Sequence, residues 1–386
     1  MPDSYKTKIN FLEILHSSGS LKIKIIKLID YSVGSLIAFL VPAKKTFSLA
    51  PNDSLKRVLI IRPGGMGDAI FLIPLLRSVK KRYPSLIIDI LCEQRNRQAF
   101  VSQPDTHDHL YCYDELKSFS TVLKNKYGLV IDTEQWHYLS ALIAYFLTLP
   151  SGQTIGFATR ALRAKLFHQP TAYRIDAYEL ENFTKLFRSL LMNQDSVKDI
   201  NNSFRIKENL LEWALQKIPS QSVSLFVGAS IPERRLTLAQ SLELIRFILG
   251  RNFSVILLGG NDVLATGKEL KEKISDPRLL NFVGKISLEQ SAALIKTSKL
   301  FIGTDSGLMH LACAVGTPTI AIFGPGNLNK WSPQGTQHTV ITENAPCSPC
   351  THYGYTLPTC NGSYFCMRDI KIKYIVEKIT NYLIPG

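Results

Sequence analysis

The 386-residue chain has no apolar run long enough to cross a bilayer. Its best candidate, Ile25–Val41, is broken by Lys27 and Asp30, and the uninterrupted part, Val33–Val41, is nine residues. A spanning helix needs about 20. Low-complexity segments and repeats of fixed period are also missing. So are zinc-finger spacings, helix-turn-helix patterns and RNP-type signatures, so nucleic acid is not an expected partner. The dinucleotide pattern G-x-G-x-x-G does not occur after the first strand, nor does an acidic residue at a convincing ribose position. Cysteine is scarce and odd in number, at seven. With no secretory signal, the expectation is reduced thiols in a cytosolic chain. Acidic residues are in deficit, 31 against 45 Lys and Arg, leaving a net charge of +14. The excess is uneven, since residues 1–100 hold 16 basic and 7 acidic side chains. Such a surface favours anionic partners, either anionic lipid or a phosphorylated substrate.

Length and composition point to two soluble globular domains. The basic, apolar segment 1–55 stands before them. Its stretch at 21–45 suits either a helix in a membrane interface or a helix packed on the protein's own core. In the first case Lys22, Lys24, Lys27, Lys44 and Lys45 would lie near lipid phosphates. A signal anchor is a third reading, which the cytosolic features downstream oppose.

From Lys56 onward, strands and helices alternate. Arg57–Ile61 reads as a buried strand, and the turn Pro63-Gly64-Gly65-Met66-Gly67-Asp68 leads into an amphipathic helix over Ala69–Arg82. Strands are predicted at Leu86–Leu91, Leu110–Tyr113, Leu129–Asp132 and Thr154–Phe157, with helices near 115–125 and 136–148. This order implies a parallel sheet covered on both faces, with ligands at the C-terminal ends of its strands. The Gly64, Gly65 and Gly67 turn lies at such an end, where small residues admit a close approach. Asp68 at the helix start is either an N-cap or a general base.

A second series begins near Ser222. Strands at Ser222–Val227, Phe253–Leu258, Leu280–Val283, Leu300–Ile302 and Thr319–Phe323 alternate with helices at 238–249, 287–297 and 308–315. Four of these strands run into glycine-containing turns, which serve either tight packing or phosphate binding at helix N-termini. Thr304-Asp305-Ser306-Gly307 is the best phosphate candidate, with His310 one turn into the following helix. Arg234 and Arg235 follow Gly228-Ala229-Ser230 and would supply cations for a pyrophosphate.

The segments RVLIIRPGGMGDAIFLIPLLRSVKKRYP and FIGTDSGLMHLACAVGTPTIAIFGP resemble the two ends of the heptosyltransferase family, glycosyltransferase family 9. The likeness runs over roughly 56–382. It takes in Val130-Ile131-Asp132, Ile155-Gly156-Phe157, Gly228-Ala229-Ser230 and Trp331-Ser332-Pro333, and Asp305–Ala312 is its most specific element. The resemblance implies a GT-B fold, two Rossmann-like α/β domains facing across a cleft. An acceptor-side domain is expected at 56–215, a donor-nucleotide domain at 216–366 with a Cys-rich loop at 347–366, and a C-terminal helix at 367–386. It also implies an inverting glycosyltransferase that moves a sugar, often heptose from ADP-heptose, onto a lipopolysaccharide core or related anionic glycolipid. Location would be cytoplasmic, peripheral on the inner membrane, and no cofactor would be needed for catalysis.

By position, the resemblance makes Asp68 the base. It places Ser230, Arg234, Arg235, Asp262, Thr304, Asp305, Ser306, Gly307 and His310 around the donor. Gly64, Gly65, Gly67, Asp132, His137, Arg160 and Arg163 are expected on the acceptor side, which suits the stretch Arg160–Arg174, basic and without an acidic residue. Asp132, Glu134 and His137 are the next candidates for a base. The family usually has Lys where Arg234 stands and Trp-Pro where this chain has Leu236-Thr237, a departure that bears on the donor's identity. Cys347, Cys350, Cys360 and Cys366 have a spacing open to a thiolate site for zinc or iron, or to plain reduced thiols in a Pro/Gly loop. Three other functions share the fold or the family: a cytosolic protein glycosyltransferase, a sugar-nucleotide epimerase and a non-catalytic GT-B-like binding protein.

Overall fold

Two six-stranded sheets, every strand parallel to its neighbours, form the frame of the protein in a computed structural model. The structure describes residues 25, 27–45, 55–191, 197–229, 231–350 and 365–383. The strands of the first sheet are β1 (Arg57–Arg62), β2 (Ile87–Cys92), β3 (His109–Cys112), β4 (Tyr127–Asp132), β5 (Thr148–Phe157) and β6 (Gln169–Thr171). Their spatial order is β3-β2-β1-β4-β5-β6. The second sheet holds β7 (Ser222–Phe226), β8 (Ser254–Leu258), β9 (Leu279–Asn281), β10 (Leu300–Thr304), β11 (Thr319–Phe323) and β12 (His338–Thr342). Its order, β12-β11-β10-β7-β8-β9, repeats that of the first. In each sheet the winding reverses beside the first strand, between β1 and β4 and again between β7 and β10. Those crevices are where doubly wound sheets bind ligands.

The strands are parallel because helices carry the chain back over the faces, and both faces are therefore apolar. Residues 58–61 of β1 and all of β7, β8, β10 and β11 are buried. The first crossover is α2 (Met66–Arg82); α1 is the helical run at 27–40, whose middle turn, Asp30–Gly34, is wound as a π-helix. Basic Lys80, Lys81 and Arg82 end α2, where the helix dipole favours them. Further helices used below are α3 (Tyr138–Leu147), α4 (Ala161–Ala164), α5 (Glu179–Leu191), α6 (Glu208–Lys217), α7 (Leu238–Gly250), α8 (Leu288–Thr297), α9 (Gly307–Ala314) and α10 (Ile372–Thr380).

The expected alternation holds, with element ends displaced by a few residues. Several elements escaped the sequence reading, among them β6, α5, α6 and β12. Strand β6 is three residues long and contains Pro170, which masks its pattern. Helix α6 packs against α8 of the second sheet's layer. A boundary between 215 and 216 thus falls inside a helix that belongs by packing to the second half. Helix α10 packs on α7, β11 and β12, and its Ile372, Ile375 and Ile379 complete the second half's core. It is part of that domain's layer.

The two halves touch through α2 and α9. One hydrophobic cluster runs across them, from Ile70, Phe71 and Leu72 to Met309, Leu311 and Ala312. Their closest approach is made by glycines. A Cβ on Gly67 would fall 2.7 Å from Cδ2 of His310, and one on Gly307 would fall 2.6 Å from Cε of Met66. A side chain at Gly67 would displace the His310 ring, and one at Gly307 would displace Met66.

Candidate active site

The glycine contact brings two helix N-termini together over the two crevices. Helix α2 follows β1, and Asp68 lies in its first turn, buried to 8 % exposure. Helix α9 follows β10, and Ser306 caps it by accepting from the Met309 N–H at 3.4 Å. Free N–H groups and two helix dipoles therefore aim at one region, a setting that favours anionic groups. Gly65 begins α2 without a side-chain cap, so Asp68 is not the N-cap of this helix. Gly64 takes φ +103°, a conformation that favours glycine, and its N–H donates to Glu93 Oε2 at 2.8 Å.

Beneath Asp68 lies a layer of buried charge. Arg62 is fully buried at the end of β1. It donates to the Thr133 carbonyl at 3.0 Å and to Glu134 Oε2 at 3.1 Å, so it ties β1 to β4 across the crevice. Its Nη2 is 3.9 Å from Asp68 Oδ2. Burial works to raise the Glu134 carboxyl, but His137, Arg62 and Arg163 together hold it below its ordinary range. From the other half, Lys330 reaches across and pairs with Glu179 of α5 at 3.1 Å, both side chains being buried. Glu179 also accepts from Gln135 Nε2 at 2.6 Å and from the Tyr173 hydroxyl at 3.0 Å. Burial and the nearby charge of Asp68 push Glu179 well up, while burial pushes Lys330 down to about 7. Lys330 also lies over the Tyr173 ring at 4.5 Å and the Trp331 ring at 5.0 Å.

In the second half, Thr304 and Asp305 are buried at the end of β10, and the Thr304 hydroxyl donates to the Gly228 carbonyl at 2.9 Å. Arg234 Nη1 is 3.1 Å from Asp305 Oδ2, and its guanidinium lies over the Trp331 ring at 5.8 Å. Arg235 donates to the Ala229 carbonyl at 3.0 and 3.2 Å and stands 3.7 Å from Asp262, which is exposed. His310 is buried against Phe71 at 4.8 Å. Burial lowers its pKa, with Arg234 in support, against the pull of Asp305 and Asp68. Ser230 lies outside the described residues. Leu236-Thr237 has a structural role, since Thr237 caps α7 in a capping box with Gln240.

Three of the expected acceptor-side residues are tied up in the frame. Asp132 and Arg163 form a fully buried ion pair at 2.7 Å, and Arg163 also donates to the carbonyls of His137 and Glu134. His137 Nδ1 is 3.2 Å from the buried Asp30 of α1. Arg160 lies over the rings of Tyr138 and Tyr31, at 5.4 and 6.0 Å. Asp132, Arg163 and His137 therefore brace the C-terminal end of β4 from beneath, and Arg160 stands nearer the surface. Sequence reasoning missed Arg62, Glu179 and Lys330. Arg62 had one usable signal, a charge closing an otherwise apolar strand just before the glycine turn.

Cys350 and Cys366 approach the same stretch. The Cys350 N–H donates to the Pro325 carbonyl at 3.2 Å, and a Cβ on Gly324 would lie 3.1 Å from Cys366 Sγ. Cys347 is exposed, and Cys360 lies outside the described residues. Among the described residues no three potential ligands gather into a metal-holding group.

The sequence profile of glycosyltransferase family 9 (heptosyltransferase) matches residues 116–360. The chain belongs to glycosyltransferase family 9. It is similar to lipopolysaccharide heptosyltransferase 3 of Escherichia coli, 24 % identical over 300 residues, covering 69 % of this chain and 83 % of that protein. It is also similar to lipopolysaccharide heptosyltransferase 2 of Salmonella typhimurium, 22 % identical, with 74 % and 87 % covered. The E. coli ADP-heptose lipopolysaccharide heptosyltransferase II structure superposes with a TM-score of 0.67 at 20 % identity, covering 85 % of this chain and 98 % of that one. A family 9 structure from Veillonella parvula gives 0.71 at 18 %, with 87 % and 99 % covered. The family 9 chain is thus a glycosyltransferase with the GT-B fold, and its two crevices are the two sides of that fold's cleft.

Proposed function

We propose that this family 9 enzyme transfers a heptosyl group from ADP-heptose to a lipopolysaccharide core acceptor, with inversion at the anomeric carbon. The observation that carries the reading is the position of Asp68, a carboxylate at the meeting of two helix N-termini, between the halves and beside His310. A sugar hydroxyl is a weak nucleophile near neutral pH, and Asp68 would take its proton as the oxygen attacks. The diphosphate would lie over the start of α9, near Ser306, Gly307 and Arg234, where the N–H groups and the guanidinium stabilise the charge left on the departing nucleotide. His310 would stand beside the donor sugar. The acceptor would enter along the ends of β4 and β5, past Arg160, and one carboxylate with one attacking oxygen gives a single displacement and hence inversion. The anionic glycolipid would be met at the cytoplasmic face of the inner membrane, with the enzyme bound peripherally. No step calls for a cofactor, and Cys347, Cys350, Cys360 and Cys366 are assigned none.

The test is incubation of the purified protein with a panel of ADP- and UDP-linked sugars, with and without deacylated lipopolysaccharide core acceptors. Acceptor-dependent release of ADP from ADP-heptose is expected, with a product of anomeric configuration opposite to the donor's by NMR. Release from UDP-sugars alone would refute the donor, and retention of configuration would refute the role given to Asp68.

A further inference from the structure

Helix α1 presents an apolar stripe to solvent. Ile25, Ile29, Val33, Leu36 and Leu40 follow one another at helical spacing, and each is 44–69 % exposed. Phe39, 65 % exposed, adjoins them. Scattered exposed apolar residues are ordinary, but six large ones within residues 25–40, five of them on one short helix, are not. The opposite face is firmly seated. Ala38 is buried, and α1 packs on α3 and α4. The Asp30 carboxylate accepts from the Leu139 N–H at 2.7 Å and meets His137 at 3.2 Å. His137 follows the C-terminal end of β4, so α1 is fastened to the acceptor edge of the first sheet.

The surroundings of the stripe carry one sign of charge. Between residues 25 and 45 the sole carboxylate is the buried Asp30, while Lys27, Lys44 and Lys45 are basic. From Gln135 to Ile175, the stretch that forms α3, β5 and α4 beneath α1, there is no carboxylate; Arg160 and Lys165 are its cations beside α1, while Arg163 is buried on Asp132 and Arg174 pairs with Asp176. Arg160 lies over Tyr31 of α1, Lys165 Nζ donates to the Phe39 carbonyl at 2.9 Å, and Lys44 lies over Tyr145 at 4.2 Å. No helix among the described residues is long and apolar enough to cross a membrane. An apolar stripe flanked by cations and free of exposed carboxylate complements the interface of an anionic bilayer, where acyl chains take the stripe and headgroups take the lysines.

We propose that the exposed face of α1 is the surface by which this protein docks on an anionic membrane, held in a fixed orientation that turns the acceptor edge of the cleft toward the lipid. The orientation follows from the seat. Because Asp30 and Ala38 fix α1 to the first half, immersing the stripe also positions the ends of β4 and β5. The purpose of this surface rests on the proposed glycolipid acceptor, but the binding is testable without any substrate.

The full-length protein is sedimented with vesicles of phosphatidylglycerol and phosphatidylethanolamine, and separately with phosphatidylcholine vesicles. Binding to the first set is expected, with little to the second. Leu36→Glu/Phe39→Glu should lower the anionic-vesicle partition by roughly tenfold or more, because the apolar contact is replaced by carboxylates that anionic lipid repels. Lys45→Glu should lower it by about fivefold or more, the weight of a basic residue near such a surface. Melting temperature and ADP-sugar affinity of the variants show that they are folded. Equal partition of wild type and the double variant would overturn the proposal, as would equal binding to neutral vesicles. A concentration-dependent rise in mass, lost in the same variant and unaccompanied by vesicle binding, would give the face to a second copy of the chain. If vesicle binding holds while no ADP-sugar is consumed, the proposed reaction fails and the docking surface stands.

Discussion

Lys330 and Glu179 form a buried ion pair between the two halves of the molecule, so its strength is a measure of how firmly the cleft is held. At 3.1 Å and an effective dielectric near 20, the attraction is about 5 kcal/mol. Taking each ion out of water costs several kcal/mol, which offsets much of that gain. The directions of titration agree, because burial drives Glu179 up and Lys330 down, each toward its neutral form. The pair therefore adds little net stability, yet losing one member is costly. Lys330→Met leaves the Glu179 carboxylate buried without its cation, and Glu179→Gln leaves the ammonium likewise. Each should destabilise by about 3–5 kcal/mol. The double variant should cost less than either single, because it leaves neither charge buried alone. Urea denaturation of the four proteins at pH 7 measures this cycle. An additive double variant would refute the pairing and, with it, this contact between the halves. The pH dependence has a definite sign. A lysine lowered from 10.5 to about 7 loses its proton earlier in the folded state than in the unfolded one. Its stability contribution is fully present above about 10.5 and is lost as pH falls through 7. Stability should thus rise between pH 7 and 10 more steeply in the wild type than in Lys330→Met.

Three further outcomes are expected. Asp68→Asn should lower the transfer rate by roughly a hundredfold or more while donor affinity and melting temperature change little, the mark of a lost general base; near-normal turnover would remove that role. Arg234→Ala and Arg235→Ala should each weaken ADP-sugar binding, on the order of 1.5–3 kcal/mol by calorimetry. Arg234 should show the larger loss, because its removal also leaves the buried Asp305 carboxylate facing the phosphates unpaired. Elemental analysis of protein purified without chelator tests the cysteine-rich loop: about one zinc or iron per chain, reduced by Cys350→Ser, would assign a metal site, and none would leave reduced thiols.

The glycine turn before Asp68 and the Thr304–Gly307 turn were legible because each ends an apolar strand and opens a helix, a local pattern that periodicity reveals. Helix α5 was harder to see. Its Glu179 begins an amphipathic helix like many others, and its burial depends on Lys330 arriving from the far half. Arg163 read as an acceptor-binding cation because a basic stretch without carboxylates looks like surface. The structure turns it inward to Asp132, a partner from another strand that no local pattern announces. Helix α6 lies with the second half for a similar reason, since its apolar face fits α8.

Sequence by itself determined the two parallel sheets, the places where their strands end in glycine-containing turns, the family, and Asp68 as the carboxylate at the start of the first crossover helix. These follow from short-range periodicity, glycine placement and motif, all written within a few tens of residues. Tertiary structure alone decided that Gly67 meets His310 and Gly307 meets Met66. It also decided that Arg62, Glu134, Glu179 and Lys330 form one buried layer beneath Asp68, and that α1 is seated by Asp30 with its apolar side outward. Each of these depends on which faces of distant elements pack together, and burial, which sets the weight of every charge in the site, exists only once they have.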